Sequence, residues 1–545
     1  MSSKLRIIPL GGCGEIGKNM TILEYEDEIL VIDAGIMFPE NDMLGIDAII
    51  PDYNYLLDKT DKVKAVLITH GHEDHIGAIA HLMADISAPI YATPLTIGLL
   101  EVKLRRANLL SDVTLRTIQA GDAFAVGSFL IEPFHVAHSI PDCVGFGITT
   151  PVGIVVHTGD YKFDHTPADG WPPDFAKLAE FSMRGVLCLL ADSTNAERPG
   201  WTPSETVITE AFERLFHNAR GRIIVATFAS LISRIQLVAD MSQKYGRKLA
   251  ITGRSMRENV KMARRLGYLE IAEEMLIDIS EAAKLPANQV AIMATGSQGE
   301  PTAVMGRLAM GDHRNLRVQA GDTVVLSAHP IPGNEEMIHR IINRLMQRGA
   351  EVLYDAVSLV HVSGHAASEE MKLMINLVRP RFIVPIHGEL RHLRQHAKMA
   401  RELGIPAENI AVVENGTILE LDDRSMTIGP RVPGGYIFVD GASVGEIGRS
   451  VMRDREQLAQ NGFFLTVVTL GRDNQMIGTP EFVSRGFANL DETPELLHGA
   501  VDTVARTISL FAGSQDKLQP RLEDALSRYL YAETGRRPMV YVVLR

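Results

Sequence analysis

His70-Gly71-His72-Glu73-Asp74-His75 places three imidazoles and two carboxylates in six residues, directly after the apolar run Val66-Leu67-Ile68. Neutral imidazole and carboxylate are the groups that hold zinc or manganese, so the segment reads first as a metal site. On a loop leaving a strand, His70 and His72 can turn to one cation while Asp74 and His75 face a second, which predicts a dinuclear centre. A histidine-rich surface turn is the plainer alternative, but such a turn rarely sits between a buried strand and an apolar helix such as residues 76–83.

A dinuclear site needs further ligands, and a layered α/β fold presents them where later strands end. Three positions follow apolar runs in this way: His138 after residues 130–136, opening the turn Ser139-Ile140-Pro141-Asp142; Asp160 after residues 153–159; and His387 after residues 382–386. His135 competes with His138, and the His-Ser-Ile-Pro-Asp turn favours His138. His157 lies inside its strand and reads as a packed histidine.

More than two hundred residues separate Asp160 from His387. They alternate short apolar runs (222–227, 248–252, 289–294, 323–327, 351–353) with helical patterns, which predicts a parallel sheet with crossover helices, inserted as a second domain. After His387 a helix over 390–403 and strands over 410–413 and 417–421 finish the first domain. Gly429-Pro430 and Pro433-Gly434-Gly435 read as a linker. Strands at 464–469, 481–483 and 539–544 with helices at 495–511 and 522–533 then predict a small α/β domain. The expected division is 1–204 and 358–428 for the first domain, 205–357 for the insertion, 429–460 for the linker and 461–545 for the last domain.

The order HxHxDH, a lone His, an Asp after Thr-Gly and a late His resembles the metallo-β-lactamase fold, an αββα sandwich. That resemblance implies that His70, His72 and His138 hold one cation and Asp74, His75 and His387 the other. Asp160 would bridge both, with the attacking water shared by metals about 3.5–4 Å apart. Asp33, ahead of Ala34-Gly35, would orient the histidine loop from outside the ligand set; its alternative is a turn residue ending a strand. The insertion resembles the β-CASP domain of nucleases that process RNA or DNA. Its further marks match Asp192 in Leu189-Leu190-Ala191-Asp192-Ser193-Thr194, His365 in His361-Val362-Ser363-Gly364-His365, and His387. An ordered set running from Pro9-Leu10-Gly11-Gly12 through Gly14-Glu15-Ile16-Gly17-Lys18-Asn19, Thr227-Phe228-Ala229-Ser230 and Thr295-Gly296-Ser297-Gln298-Gly299-Glu300-Pro301 to Pro385-Ile386-His387-Gly388-Glu389 is similar to bacterial ribonuclease J.

This resemblance implies a 5′ to 3′ exoribonuclease with endonuclease activity, preferring a 5′-monophosphate end of single-stranded RNA, in RNA processing and decay. Phosphodiester hydrolysis needs an in-line nucleophile, charge neutralisation and a proton for the departing 3′ oxygen. His365 is the expected general acid, with Asp192 aligning it; the expected catalytic set is Asp74, His365 and Asp192. The plainer readings are a histidine satisfied in a glycine turn and a helix cap. Ser230 and Ser233 with His361, Ser363, Gly364 and His365 are the expected phosphate pocket, through hydroxyls and backbone amides. After Ser230 the family often carries a polar residue, whereas Leu231-Ile232 stands here. Two divalent ions are implied, zinc first and manganese second. The last domain implies a homodimer or homotetramer, and a helicase or degradosome partner is compatible. A DNA-directed β-CASP nuclease, a small-ester metallohydrolase and a non-enzymatic scaffold are the competing readings; the insertion and the His361 to His365 motif oppose the second, and a complete ligand set opposes the third.

With 545 residues, 46% of them hydrophobic, the chain is long enough for two or three cored domains. A net charge of −13 argues against promiscuous nucleic-acid binding. Arg254, Arg257, Lys261, Arg264, Arg265, Arg307, Arg314 and Arg317 could line an RNA channel, and a solvated helix face explains the first five equally well. Cys13, Cys143 and Cys188 are scattered, which predicts buried thiols and no disulfide. No stretch has transmembrane length, and Met1-Ser2-Ser3-Lys4 leads straight into a strand, which predicts no membrane segment, no signal peptide and a cytoplasmic protein.

Overall fold

The histidine segment leaves the strand Val63–Leu67, buried at every position but Lys64. In the computed structural model, which describes residues 4–40, 42–167, 170–331, 333–471, 475–510 and 515–545, this strand runs parallel to Glu28–Ile32, with Ile32 opposite Leu67. It belongs to an eight-stranded sheet ordered Met426–Arg431, Thr417–Leu421, Leu5–Gly11, Met20–Tyr25, Glu28–Ile32, Val63–Leu67, Ile90–Ala92 and Leu115–Thr117. A second sheet is ordered Phe382–Ile386, Val186–Asp192, Ile154–His157, Val144–Thr149, Phe129–His135 and Phe124–Val126. Alternate side chains of the two sheets meet in one core: Leu30, Ile32 and Leu67 from the first face Ile131, Phe146 and Leu190 from the second. Helix Leu390–Glu402 packs on strand Phe382–Ile386, and helices Phe175–Arg184 and Ser368–Val378 pack on each other. The result is the expected αββα sandwich. Among the described residues no helix is long and apolar enough to cross a membrane.

The insertion carries the predicted parallel sheet, ordered Leu276–Ile277, Lys248–Ile251, Val290–Ala294, Ile223–Ala226, Thr323–Leu326 and Glu351–Leu353. Leu276–Ile277 is not predicted, because two half-buried residues at a sheet edge leave no apolar run. The sheet has its own core, from Ile224 and Ile292 to Leu345.

Residues 410–413 do not form the predicted strand. Ala411 and Val413 are buried, which mimics a strand's alternation, but the segment makes a single bridge, Ile383 to Ile410. Residues 429–460, read as a linker from their Gly and Pro, are structured: Met426–Arg431 closes the eight-stranded sheet, and Arg449–Asn461 is a helix. Gly434 serves close packing there, since a Cβ would come within 2.5 Å of the Gly416 nitrogen.

A second compact unit comprises residues 39–47 and 438–545. Its sheet is ordered Glu481–Arg485, Phe463–Val468, Met539–Leu544, and one face packs under helices Pro494–Ser509 and Gln515–Thr534 through Phe464, Val468, Val504, Leu522 and Leu526. The second helix starts before Pro520, a residue through which a sequence reading would not extend it. Of the predicted helix 495–511, Phe511 lies outside the described residues. All three cysteines are buried, and none is in a disulfide.

Arg234 fastens the insertion to its two connections. Its fully buried guanidinium donates to Glu205 Oε2 (2.8 Å) where the insertion begins, to the Ser327 hydroxyl within it, and to the Val360 carbonyl after it. Removing one partner of a buried pair leaves the other charge uncompensated. Arg234→Met is therefore expected to destabilise the chain by about 3–5 kcal/mol, read as a lower urea midpoint, and adding Glu205→Gln should recover part of that loss.

Candidate metal centre

Strands Ile154–His157, Val186–Asp192 and Phe382–Ile386 run parallel to one another, as do Glu28–Ile32 and Val63–Leu67. Parallel strands end on the same side, and their ends deliver Asp160, Asp192, His387, Asp33 and the histidine loop to one place. Two groups of donors form there: His70, His72, His138 and Asp160, and Asp74, His75, Asp160 and His387. Asp192, His365 and His387 converge beside them.

The donor geometry tests whether cations fit. Ligand atoms about 2.1 Å from a tetrahedral ion sit roughly 3.4 Å apart. In the first group, His70 Nε2 and His138 Nε2 each lie 3.1 Å from His72 Nδ1 and 3.7 Å from Asp160 Oδ2. In the second, Asp74 Oδ2 lies 3.5 Å from His75 Nε2 and 3.3 Å from His387 Nε2, and Asp160 reaches those rings at 3.2 and 3.6 Å. Both groups match the edges of such a coordination shell, and the donors are imidazole and carboxylate throughout. The residues fit divalent cations.

The far nitrogen of four rings is held from outside. His75 Nδ1 faces Asp33 Oδ2 at 2.8 Å, His138 Nδ1 donates to the Gly364 carbonyl at 2.8 Å, and His387 Nδ1 meets Thr194 Oγ1 at 2.6 Å. His70 Nδ1 lies 3.0 Å from Thr69 Oγ1, which also donates to Asp33 at 2.8 Å. Such partners choose the tautomer and aim the ring. Asp33 adopts a left-handed φ of +61°, and His387 one of +52°. Gly364 is glycine for a steric reason: a Cβ would come within 2.4 Å of the His138 ring.

Burial opposes charge on every imidazole here. It prevails at His70 and His138, held well below the usual range, and pushes His72 down to about 4. At His75 it is overcome by Asp160, Asp74 and Asp33, which hold the ring well above its usual range, and the carboxylates led by Asp160 raise His387 to about 9. Asp74 and Asp160 are held low against their burial, by His75 and His387. One side of the site thus draws positive charge while the other offers neutral nitrogen lone pairs. His365 sits against Asp192, Nδ1 to Oδ2 at 2.8 Å; burial opposes its charge, and Asp192 and then Asp160 raise it above the usual range.

His135 bonds the Pro172 carbonyl and stacks on Trp171, and His157 accepts from the Gly159 amide. Neither belongs to a donor group. Ser363 Oγ accepts from Asn195 and from the His365 amide, inside the turn that carries His365. His361 is half-buried, and its buried Nδ1 has no hydrogen-bond partner among the described residues. Ser233 donates its proton to the Ser139 carbonyl (2.9 Å), which leaves lone pairs and no proton for a phosphate, and Ser230 stands at the turn into helix Ile232–Lys244, its carbonyl accepting from the Ile232 amide. In the basic cluster, Arg254, Arg264 and Arg265 pair with Glu258, Glu273 and Glu101. Helix Arg254–Leu266 packs there on Pro94–Arg106 of the sandwich.

Sequence reasoning missed Thr69, Thr194, Asn19 and Glu370. Asn19 holds the histidine loop through the Asp74 carbonyl, and Glu370 gathers the amides of Phe163, Thr202 and Ala367. Only Glu370 carried a signal, as the third residue of helix Ser368–Val378.

Models of known families match four stretches: the beta-lactamase superfamily domain at 30–209, the ribonuclease J beta-CASP domain at 220–345, the Zn-dependent metallo-hydrolase RNA specificity domain at 349–410 and the ribonuclease J C-terminal domain at 450–545. The chain is 40% identical to ribonuclease J2 of Bacillus subtilis, covering 100% of this chain and 99% of that one. It is 43% identical to ribonuclease J of Thermus thermophilus, covering 99% and 95%. A crystal structure of a protein of unknown function from Enterococcus faecalis V583 shares the fold, with a TM-score of 0.55 and 18% identity over 77% of this chain and all of that one.

Replacing Gly364 should loosen the metal centre without unfolding the sandwich. Gly364→Ala is expected to weaken metal retention about 10- to 100-fold, measured as metal per chain by elemental analysis after chelator competition, with unchanged far-UV circular dichroism.

Proposed function

This chain belongs to the ribonuclease J family of metal-dependent ribonucleases, and from that premise we propose that it degrades single-stranded RNA from the 5′ end, prefers a 5′-monophosphate, and also cuts internally. The observation that carries the reading is the Asp192–His365 pair, set beside both donor groups, with the His365 ring 5.0 Å from His138 and 5.3 Å from His387.

His70, His72 and His138 would hold one cation, Asp74, His75 and His387 a second, and Asp160 both. Zinc suits these donors best, and manganese accepts the same set. When bound, two such cations supply Lewis acidity toward the phosphoryl oxygens and the attacking water. The chain does the rest. Asp33, Thr69, Gly364 and Thr194 aim the rings. Asp192 fixes His365 through Nδ1, leaving Nε2 to pass a proton to the departing 3′ oxygen. The side chain is 19% exposed, so solvent reaches it. The Ser363-Gly364-His365 turn and His361 offer the polar groups of a terminal phosphate pocket, and Ser230 stands at the helix entrance for the same role. The reading extends to a cytoplasmic enzyme, in keeping with three buried cysteines outside any disulfide, which assembles as a dimer or tetramer through its last domain.

RNA labelled at the 5′ end and carrying a mono- or a triphosphate tests the activity: mononucleotide release is expected from the monophosphate form, and its absence with the metal-loaded chain would sink the proposal. His72→Ala should abolish cleavage. His365→Ala should slow it by about 10²- to 10⁴-fold and regain most of that rate on RNA with a bridging 3′ sulfur, a leaving group that needs no proton. Equal loss on both substrates would remove His365 from the general-acid role.

A further inference from the structure

Both tryptophans of the chain lie at the surface. Trp201 is 50% exposed, so its indole presents a large flat apolar face to solvent. Its backbone is held on both sides. The Gly200 carbonyl accepts from the Glu369 amide (3.1 Å), while the Thr202 amide donates to Glu370 (2.7 Å) and the Thr202 hydroxyl to the His365 carbonyl (2.7 Å). Trp201 therefore sits on a rigid segment fastened to the turn that carries His365.

The ring also ends a run of aromatic side chains. His165, exposed, lies 6.2 Å from Trp201; its ring is parallel within 7° to Phe175 at 5.8 Å, and Phe175 stacks on Phe163 at 5.0 Å. Three residues before Trp201, Arg198 is exposed and donates to His329 of the insertion. An exposed indole with a guanidinium on the same short segment matches one nucleotide of single-stranded RNA, base on the ring and phosphate near the cation. His165 beside the ring and Arg198 three residues before it are both polar and exposed, which suits a nucleotide better than an apolar protein face.

We propose that Trp201, backed by His165, is a stacking platform for a base of the substrate RNA outside the catalytic pocket. The platform contributes to binding alone. The inference rests on the chain acting on RNA, and its test separates the two. Because the chain has two tryptophans, Trp171→Phe leaves Trp201 as the sole indole. Titrating that variant, stripped of metal by chelator so that RNA stays intact, with a 12-nucleotide oligoadenylate should quench its fluorescence; an oligomer of the same length with abasic ribose throughout should not. In steady-state cleavage of the 12-mer by the metal-loaded chain, Trp201→Ala should raise KM roughly 5- to 100-fold with kcat unchanged, and Trp201→Phe should stay near wild type. No quenching, equal quenching by the abasic oligomer, or an unchanged KM in Trp201→Ala would overturn the platform. Absence of cleavage by wild type would fail the ribonuclease reading instead, and leaves the fluorescence result to decide the platform.

Discussion

Burying carboxylates without compensation costs several kcal/mol each, and this fold gathers Asp33, Asp160 and Asp192 in its interior with Asp74 at the rim. The arrangement around them answers that cost. Five imidazoles ring Asp160 within 4 Å. The carboxylates hold three of those rings, His75, His387 and His365, above their usual range, so the site attracts positive charge whether a proton or a metal ion supplies it. A site built this way is poor protein interior and good metal site.

Strand direction makes the gathering possible. Antiparallel neighbours would send successive strand ends to opposite edges, whereas the parallel set Ile154–His157, Val186–Asp192 and Phe382–Ile386 sends Asp160, Asp192 and His387 to one. The third of these strands is separated from the second by the whole insertion. The chain can make that excursion because its two connections are fastened together by Arg234, and because helix Arg254–Leu266 lies on helix Pro94–Arg106, where Arg106 and Arg265 pair with Glu258 and Glu101. The basic residues of that helix thereby belong partly to the joint between domains.

Most strands were legible because a strand buried on both faces is a continuous apolar run, as Phe382–Ile386 shows. Where burial and pairing part company the sequence misleads: 410–413 is buried by packing with one bridge, and Leu276–Ile277 pairs with little burial. Gly434 illustrates a related ambiguity, since glycine marks flexible linkers and tight packing alike. Residues 39–47 belong to the same compact unit as 438–545, a pairing that no local pattern announces.

The sequence by itself determined the ligand chemistry and its order along the chain, because imidazoles and carboxylates placed after apolar runs are rare for any other purpose. It also favoured His138 over His135 through the turn that follows. Only the tertiary structure decided which groups aim those ligands. Gly364 reaches His138 across 226 residues, Asp192 reaches His365 across 173, and Thr194 reaches His387 across 193. Such partners are chosen by where strands end in space, and a hydrogen bond a few ångströms long leaves no periodicity in the chain that makes it.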